Sequence, residues 1–446
     1  MAAGAAFLVV LCSALLAHEV KLGVALIGAL VFVPIAFLNP PLALAVWATS
    51  AFMTAIPAFG QASNRSLYLL FIVWVGTLFA RDDALRRRAR RQIPMLGGLV
   101  LFFVWALSTL LWAPEPGSAK EPAINFLLSM GVFLLVTTFV LDRRHARWLV
   151  MAYVMGTTLS VLAGAATGGL STGASELNTA TSVEGRLQGG VSDPNYLAAA
   201  CVPAIVLAAG LAARRGQVLL RFALGVAVVI LTIGLAATES RGGILAAAVV
   251  AIGALLTWKG QRKNVALIIA LVLLAGAGWF TASPASWERV TASQDGGSGR
   301  TDVWTVAWRV VKAHPIEGVG LANFSAVSPD YLRQPGALSR ADLIVDQKIM
   351  VHNAYLQLWA ETGAIGLLLL LLLAGRAVSS GYRAADLFER RGDQPTAALA
   401  RAGALALLGA LAASFFLSNL DDRRIWILMA LGPVLFAIAR ADEPVK

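Results

Sequence analysis

HNAYLQLWAETGAIGLLLLLLLAGR, residues 352–376, joins the two features from which the fold of this chain can be predicted. A polar loop ends at His352, and a long apolar run begins directly after it. Crossing a bilayer core of about 30 Å takes roughly 17–25 mostly apolar residues. The segment therefore predicts a membrane-spanning helix with a histidine at its boundary with water.

Similar apolar runs recur along the whole chain of 446 residues, of which 58% are hydrophobic and 14% charged. That composition is typical of a polytopic membrane protein and not of a soluble domain. We predict an all-α polytopic membrane protein of about 12–14 transmembrane helices; the weak break between the first two spans leaves the count open. The candidate spans are 3–17, 22–38, 42–59, 66–80, 95–112, 123–141, 147–167, 195–213, 217–236, 242–258, 264–281, 353–375, 397–417 and 424–440.

Lysine and arginine concentrate in the connections on one side of these spans, and such connections face the cytoplasm. Both termini are then predicted to be cytoplasmic, and His352 lies on the opposite, outer face. The basic connections are 81–94, 143–147, 214–215, 259–263 and 376–391.

The net charge of +11 does not indicate nucleic-acid binding, because the excess cations lie in short turns where membrane insertion requires them. Cys12 and Cys201 are too few for a disulfide framework or a metal site. The chain has no Walker loop and no dinucleotide-binding turn. We expect neither a metal ion nor a cofactor.

Two outer connections are long, about 168–194 and about 282–352. We divide the chain into an N-terminal helix bundle (1–281), an outer loop domain (282–352) and C-terminal transmembrane helices (353–446). Within the loop domain, TDVWTVAWRVVKAH (301–314) carries an apolar stripe with tryptophans at helical spacing. The stripe predicts a helix that rests at the membrane surface in a folded domain.

Four arginines in the outer connections are candidate anion-binding residues: Arg186, Arg241, Arg289 and Arg300. The guanidinium fork matches phosphate oxygens. Arg241 also precedes two glycines at a predicted helix start, where free N–H groups and the helix dipole favour an anion. The alternative is contact with lipid headgroups or structural carboxylates, and it weighs most for Arg289 and Arg300, which have acidic neighbours.

His352 is the candidate general base, since histidine can accept a proton near neutral pH. Its alternative is an interfacial, hydrogen-bonded residue without a catalytic role. Asp421 and Asp422 leave two readings as well: a divalent-cation site, or ion pairs with Arg423 and Arg424, which follow them and which we favour.

Four motifs in this order resemble the O-antigen ligase and O-antigen polymerase superfamily of bacterial inner membranes. They span about 190–370 and each is degenerate. They are GGVSDPNYLA (189–198), SRGG (240–243), GRTDVWTVAWRVVKAHPIEGVGLANF (299–324) and HNAYLQLWAETGAIG (352–366).

The resemblance implies a GT-C-like, metal-independent, inverting glycosyltransferase of the inner membrane. It would move a glycan from undecaprenyl pyrophosphate to a sugar hydroxyl of lipid A–core at the periplasmic face. His352 would be the general base, and Arg186 and Arg241 would hold the pyrophosphate with Arg300 as a third clamp. Arg289 and Asn353 are further substrate-binding candidates.

The resemblance leaves three branches, which are ligase, polymerase and protein glycosylation. Concentration of the outer length in 282–352 favours a ligase over a polymerase, which often has two comparable arginine-rich loops. A transporter of lipid-linked glycan is the alternative from another class, but the spans hold few charges and no repeated halves are visible.

Overall fold

The computed structural model describes residues 20–79, 83–166, 186–191, 193–213, 216–258, 262–291, 300–335 and 350–441. The first predicted span, 3–17, lies outside these residues. Within them the secondary structure is helical, with sixteen α-helices and no strand. The helices are α1 Val20–Leu38, α2 Pro40–Ser50, α3 Pro57–Phe79, α4 Asp83–Ser108, α5 Lys120–Phe139, α6 Arg143–Ala166, α7 Pro194–Ala212, α8 Val218–Ala237, α9 Arg241–Thr257, α10 Arg262–Ala282, α11 Pro284–Thr291, α12 Arg300–Ala313, α13 Phe324–Leu332, α14 Ala354–Arg390, α15 Gln394–Ala413 and α16 Arg423–Ala441.

Eight of the described helices are long and apolar enough to cross a membrane, namely α5, α6, α7, α8, α10, α14, α15 and α16. Shorter apolar segments lie in α1 and α4 and make up all of α9. An all-α polytopic membrane protein is therefore confirmed.

Three predicted boundaries differ from the structure. The span 42–59 is not one helix: α2 ends at Ser50, and α3 begins at Pro57. Proline starts a helix readily because its missing N–H needs no partner there. The intervening turn is held by Ala55 N–H, which donates to Gly190 O at 2.8 Å. The other two differences are basic connections: 81–94 is helical from Asp83 onward, and 376–391 is helical as far as Arg390.

The centre of the bundle consists of α7, α15 and α16, whose side chains are mostly buried. Alanine and glycine dominate α15, and such small residues let helix backbones approach closely where the surrounding lipid offers no hydrophobic driving force. Helix α10 lies at the periphery, and few of its residues are fully buried. Its exposed apolar side chains are those expected of a lipid-facing helix.

The two ends of the bundle differ in chemistry. At one end Arg143 Nη1 lies 2.9 Å from Asp393 Oδ2, and Arg391 donates to the carbonyl of Ala439. We call this end the basic face. At the other end the 418–422 connection meets the start of α7 and the segment before α14. We call it the histidine face, because it carries His352.

Helices α12 and α13 form a unit with its own core on the histidine face. We had expected the apolar stripe of α12 to rest on a membrane surface, but the stripe packs against protein. Val303, Ala307 and Val311 are buried in the core of the unit with Phe324 and Val351. Packing against protein removes these side chains from water as fully as lipid would, and it also fixes α12 relative to α14.

A backbone interruption attaches this unit to α14. Gly363, inside α14, has φ +70°, and the break leaves the carbonyls of Ala360 and Glu361 without helical partners. Val319 N–H donates to Ala360 O at 2.9 Å and Gly320 N–H to Glu361 O at 2.8 Å. We call residues 315–320 with 360–364 the clasp.

The clasp explains two glycines of the motifs. A Cβ on Gly363 would overlap Ile316 O, and a Cβ on Gly318 would overlap Glu361 O. Both residues also have positive φ, a region that side chains other than glycine disfavour. Trp105 and Trp112 of the α4 region donate to Thr362 O (2.8 Å) and Gly318 O (3.1 Å). The Gly-x-Gly sequence at residues 318–320 therefore has a structural role, which is to attach the unit of α12 and α13 to α14.

Candidate functional site

His352 is held by its backbone, which leaves its ring available. Its φ is +53°, its N–H donates to Ser418 Oγ at 3.0 Å, and its side chain is half-buried. Trp304 Nε1 of α12 donates to the preceding carbonyl, Val351 O, at 2.9 Å. A residue in this region of φ is strained unless its surroundings fix it, and here α12 and the 418–422 connection both do so.

Asn353 is buried and caps α14. Its Oδ1 accepts from Tyr355 N–H and Leu356 N–H, both at 3.1 Å. An Asn cap satisfies N–H groups that the first turn of a helix leaves free. The His-Asn pair thus places a proton acceptor directly before a fixed helix start.

The DPNY turn, residues 193–196, makes hydrogen bonds to several parts of the histidine face. Asp193 Oδ1 caps α7 by accepting from Asn195 N–H (2.7 Å) and Tyr196 N–H (3.0 Å). Tyr196 Oη donates to Ser418 O at 2.7 Å. The same Ser418 binds the backbone of His352 through its hydroxyl, so the turn and the histidine share one support.

Arg186 is positioned by this turn. Its Nε donates to Thr238 O at 2.8 Å and its Nη2 to Asn195 Oδ1 at 3.1 Å. Arg241 begins α9 three residues after Thr238 and is exposed, and Ser240 Oγ caps that helix by accepting from Gly243 N–H at 3.2 Å. The structure therefore brings Arg186 and the start of α9 together.

Arg300, at the start of α12, lies within electrostatic reach of both His352 and Asp193. Burial lowers the pKa of His352 below its ordinary value of 6.5, the Arg300 charge lowers it further, and Asp193 opposes the shift. Burial also lowers the pKa of Arg300, while the charge of Asp193 acts in the opposite direction and raises it. His352 is thus neutral at pH 7 and able to accept a proton.

Arg289 is the candidate that the structure leaves undescribed. Its backbone lies in α11, but its side chain is outside the described part of the chain. The other five candidates, Arg186, Arg241, Arg300, His352 and Asn353, all lie on the histidine face.

The comparison with known protein families bears on this face directly. A family model described as O-antigen ligase matches residues 226–371, about a third of the chain. The match runs from within α8 to within α14 and includes Arg241, Arg300, the clasp and His352. The match supports the O-antigen ligase superfamily that the motifs resemble. No curated protein matches it.

A polar cavity of about 560 Å³ opens beside the DPNY turn. It was missed in the sequence, because its walls come from five separate segments. They include Thr54, Gln61, Asn64, Asn125, Tyr196, Asp421, Asp422, Arg423 and Arg424.

The charges of that cavity are partly self-paired, as we had favoured. Arg424 Nε and Nη2 donate to the carboxylate of Asp422 at 2.6–2.9 Å. Arg423 Nη1 instead donates to Asn64 Oδ1, at 2.6 Å. No group of three or more His, Cys, Asp or Glu that could hold a metal is present among the described residues.

Asp193, Asn195, Tyr196 and Ser418 are site residues that we did not predict. The Asp-Pro-Asn turn was visible as a family motif, but nothing in the sequence indicates that it supports His352 and Arg186. Ser418 carries no sequence signal.

Proposed function

We propose that the chain transfers a glycan from undecaprenyl pyrophosphate to a sugar hydroxyl of lipid A–core. The observation that carries the proposal is the joint position of His352 and Arg300 in the O-antigen ligase domain, around the Asp193 turn. A neutral base beside a cation suits a reaction in which a hydroxyl loses a proton and a phosphate group leaves with negative charge.

In the proposed reaction the acceptor oxygen bonds to the anomeric carbon as the bond from that carbon to the pyrophosphate oxygen breaks. The acceptor proton passes to His352, and the electron pair leaves with the pyrophosphate. Attack from the face opposite the leaving group inverts the anomeric centre. No covalent enzyme intermediate is needed.

Arginines would neutralise the charge on the leaving group in place of a metal ion. Arg186 is held in a fixed orientation by Thr238 O and Asn195, which reduces the rotamer entropy lost on binding. Arg241 adds a charge at a helix start, where the dipole also favours an anion.

Three further residues would bind the donor. Arg300 is the third arginine that would hold the pyrophosphate, and Arg289 is a further candidate. Asn353 would act through its amide nitrogen, since its oxygen caps α14.

An apolar cleft suits the polyprenyl chain of the donor. One part, of about 290 Å³, lies between α7, α8, α9 and α10, and it adjoins a second part of about 440 Å³ through shared residues such as Trp258 and Val265. The cleft runs from Ile244, one turn from Arg241, toward Val218 near the basic face. A long hydrocarbon would replace lipid there while its pyrophosphate meets the arginines.

The proposed setting is the bacterial inner membrane, with both termini cytoplasmic and the histidine face periplasmic. The basic face carries part of the lysine and arginine excess that marks the cytoplasmic side. The partners are then the lipid-linked donor, lipid A–core and the surrounding lipids.

The test uses the purified full chain in lipid nanodiscs with undecaprenyl-pyrophosphate glycan and lipid A–core, in chelator and without nucleotide. We expect glycan-modified lipid A–core as the product. Lengthening of the lipid-linked glycan would identify a polymerase instead. Movement of intact donor between leaflets without a covalent product would identify a transporter.

A further inference from the structure

The polar cavity beside the DPNY turn has no role in the donor chemistry described above. Its lining offers amides from α3 and α5, a hydroxyl from Tyr196, and the acidic and basic residues of 421–424. Its volume of about 560 Å³ falls within the range of about 300–1,000 Å³ that is typical of small-molecule sites.

A buried arginine in the lining lacks part of its hydrogen bonding. The Arg424 side chain is 10% exposed, and two of its nitrogens bind Asp422. Its Nη1 has no partner in the described structure. A buried donor without a partner costs free energy, so a bound molecule with oxygen acceptors would stabilise this arrangement.

The cavity is electrically balanced, which limits what it can bind. Two carboxylates, Asp421 and Asp422, face two guanidinium groups, Arg423 and Arg424. Burial and the neighbouring Asp422 raise the pKa of Asp421, so added negative charge is disfavoured beside it. The amides of Gln61 and Asn125 supply both donors and acceptors without charge. This lining matches a molecule with many hydroxyl groups and no net charge.

The cavity is connected to the candidate base through two hydrogen bonds. Tyr196 lines it and donates to Ser418 O, and the hydroxyl of Ser418 binds the backbone of His352. We propose that this cavity binds an unphosphorylated sugar residue of the acceptor and thereby brings the acceptor hydroxyl to His352. The proposal rests on the proposed function for the identity of the acceptor, but binding itself can be measured without transfer.

The experiment measures binding of delipidated, unphosphorylated core oligosaccharide to the full chain in nanodiscs by titration calorimetry. The test variant is Gln61→Ala/Asn125→Ala, because among the described residues neither side chain takes part in a hydrogen bond that holds the fold. The control is Gln334→Ala, which removes an exposed amide that follows α13 and does not line the cavity. Because the double variant loses two neutral hydrogen bonds, we expect it to bind the oligosaccharide roughly 10-fold more weakly. The control should bind it as tightly as the wild type.

Several outcomes would overturn the proposal. Wild-type protein that binds no oligosaccharide would do so, and so would equal binding by the double variant. A phosphorylated oligosaccharide that binds as tightly through the same amides would refute the charge argument.

If wild-type transfer occurs while the double variant binds normally, the proposed function stands and the cavity is not the acceptor site. If binding depends on the amides but no transfer occurs, the sugar site stands and the transferase fails.

A second measurement covers the case of a misfolded double variant. In a chain with Cys12→Ala, a Gln61→Cys thiol would react with a maleimide, while the native Cys201 is buried. We expect the oligosaccharide to slow this labelling at least several-fold. Unchanged labelling at saturating oligosaccharide would place the sugar elsewhere.

Discussion

At the scale of single residues, the site depends on a histidine whose backbone is more constrained than its ring. The left-handed φ of His352 is stabilised by Ser418 and by the contact of Trp304 with Val351 O. A substitution that tests the imidazole must therefore keep the backbone conformation. Asparagine does so, because it tolerates this region of φ better than most residues.

We expect His352→Asn to reduce the transfer rate by about 10²–10⁴-fold, since that is the usual contribution of a positioned general base. Donor binding should stay near normal, because the proton acceptor does not hold the pyrophosphate. Single-turnover transfer and equilibrium binding of the lipid-linked donor separate the two effects. Full activity in the asparagine variant would remove His352 from the mechanism.

The pKa of His352 leads to a second prediction at this scale. Because burial and Arg300 lower it, the base form persists at pH 7, and kcat/KM should fall only as the pH drops through a value below 6.5. Arg300→Gln removes a cation and should move this acid limb to higher pH. Asp193→Asn removes an anion while keeping an α7 cap, and should move it to lower pH. Identical pH profiles for all three proteins would refute the electrostatic link.

At the scale of helices, α14 is two helical segments joined at Gly363, and the break is what lets the outer unit attach. The carbonyls released at the break accept hydrogen bonds from the 318–320 backbone, and Ala364 N–H donates to Pro315 O at 3.0 Å. Buried backbone groups are thus satisfied in spite of the interruption. The orientation of α12, and with it the position of Arg300, depends on this joint.

We expect Gly363→Ala to destabilise the protein by about 3 kcal/mol or more, because strain at positive φ adds to overlap with Ile316 O. Gly375→Ala is the matched control on the same helix: a Cβ there meets nothing within 4 Å. It should be neutral or stabilising by up to about 1 kcal/mol, since alanine is the better helix former. Denaturant unfolding in detergent measures both. Equal stability of the two variants would mean that the clasp does not hold the fold.

At the scale of the whole molecule, the arrangement separates three environments. The histidine face carries the candidate catalytic groups, the basic face carries paired cations, and the apolar cleft under α10 extends between them. Helix α10 contacts the bundle mainly through α8, which leaves the cleft beside α7 and α9 open. A donor with a charged head and a long hydrocarbon tail matches this separation.

Filling the cleft tests that match. Ala251→Trp on α9 places a large ring in the cleft and should raise the KM for the polyprenyl donor at least several-fold, with little effect on the acceptor. Ala270→Trp, on the exposed side of α10 outside the cleft, should leave both constants unchanged. Transfer kinetics at varied donor concentration measure the effect. The same KM in both variants would show that the tail does not enter the cleft.

Composition and apolar periodicity in the sequence were sufficient for the all-helical membrane fold, because the cost of exposing polar backbone to lipid leaves few alternatives. The motifs around SRGG, HPIEGVG and HNAY were sufficient to indicate the superfamily that the family model at residues 226–371 supports. Both are local properties, readable from residues close together in the chain.

Only the tertiary structure revealed how the motifs meet. The break of α14 at Gly363, the packing of the α12 stripe against protein, and the support of His352 by Ser418 all join residues far apart in sequence. The polar cavity likewise has walls from α3, α5, α7 and the 421–424 segment. Such contacts depend on how helices pack, and packing is set by side chains from many segments at once, which no local pattern encodes.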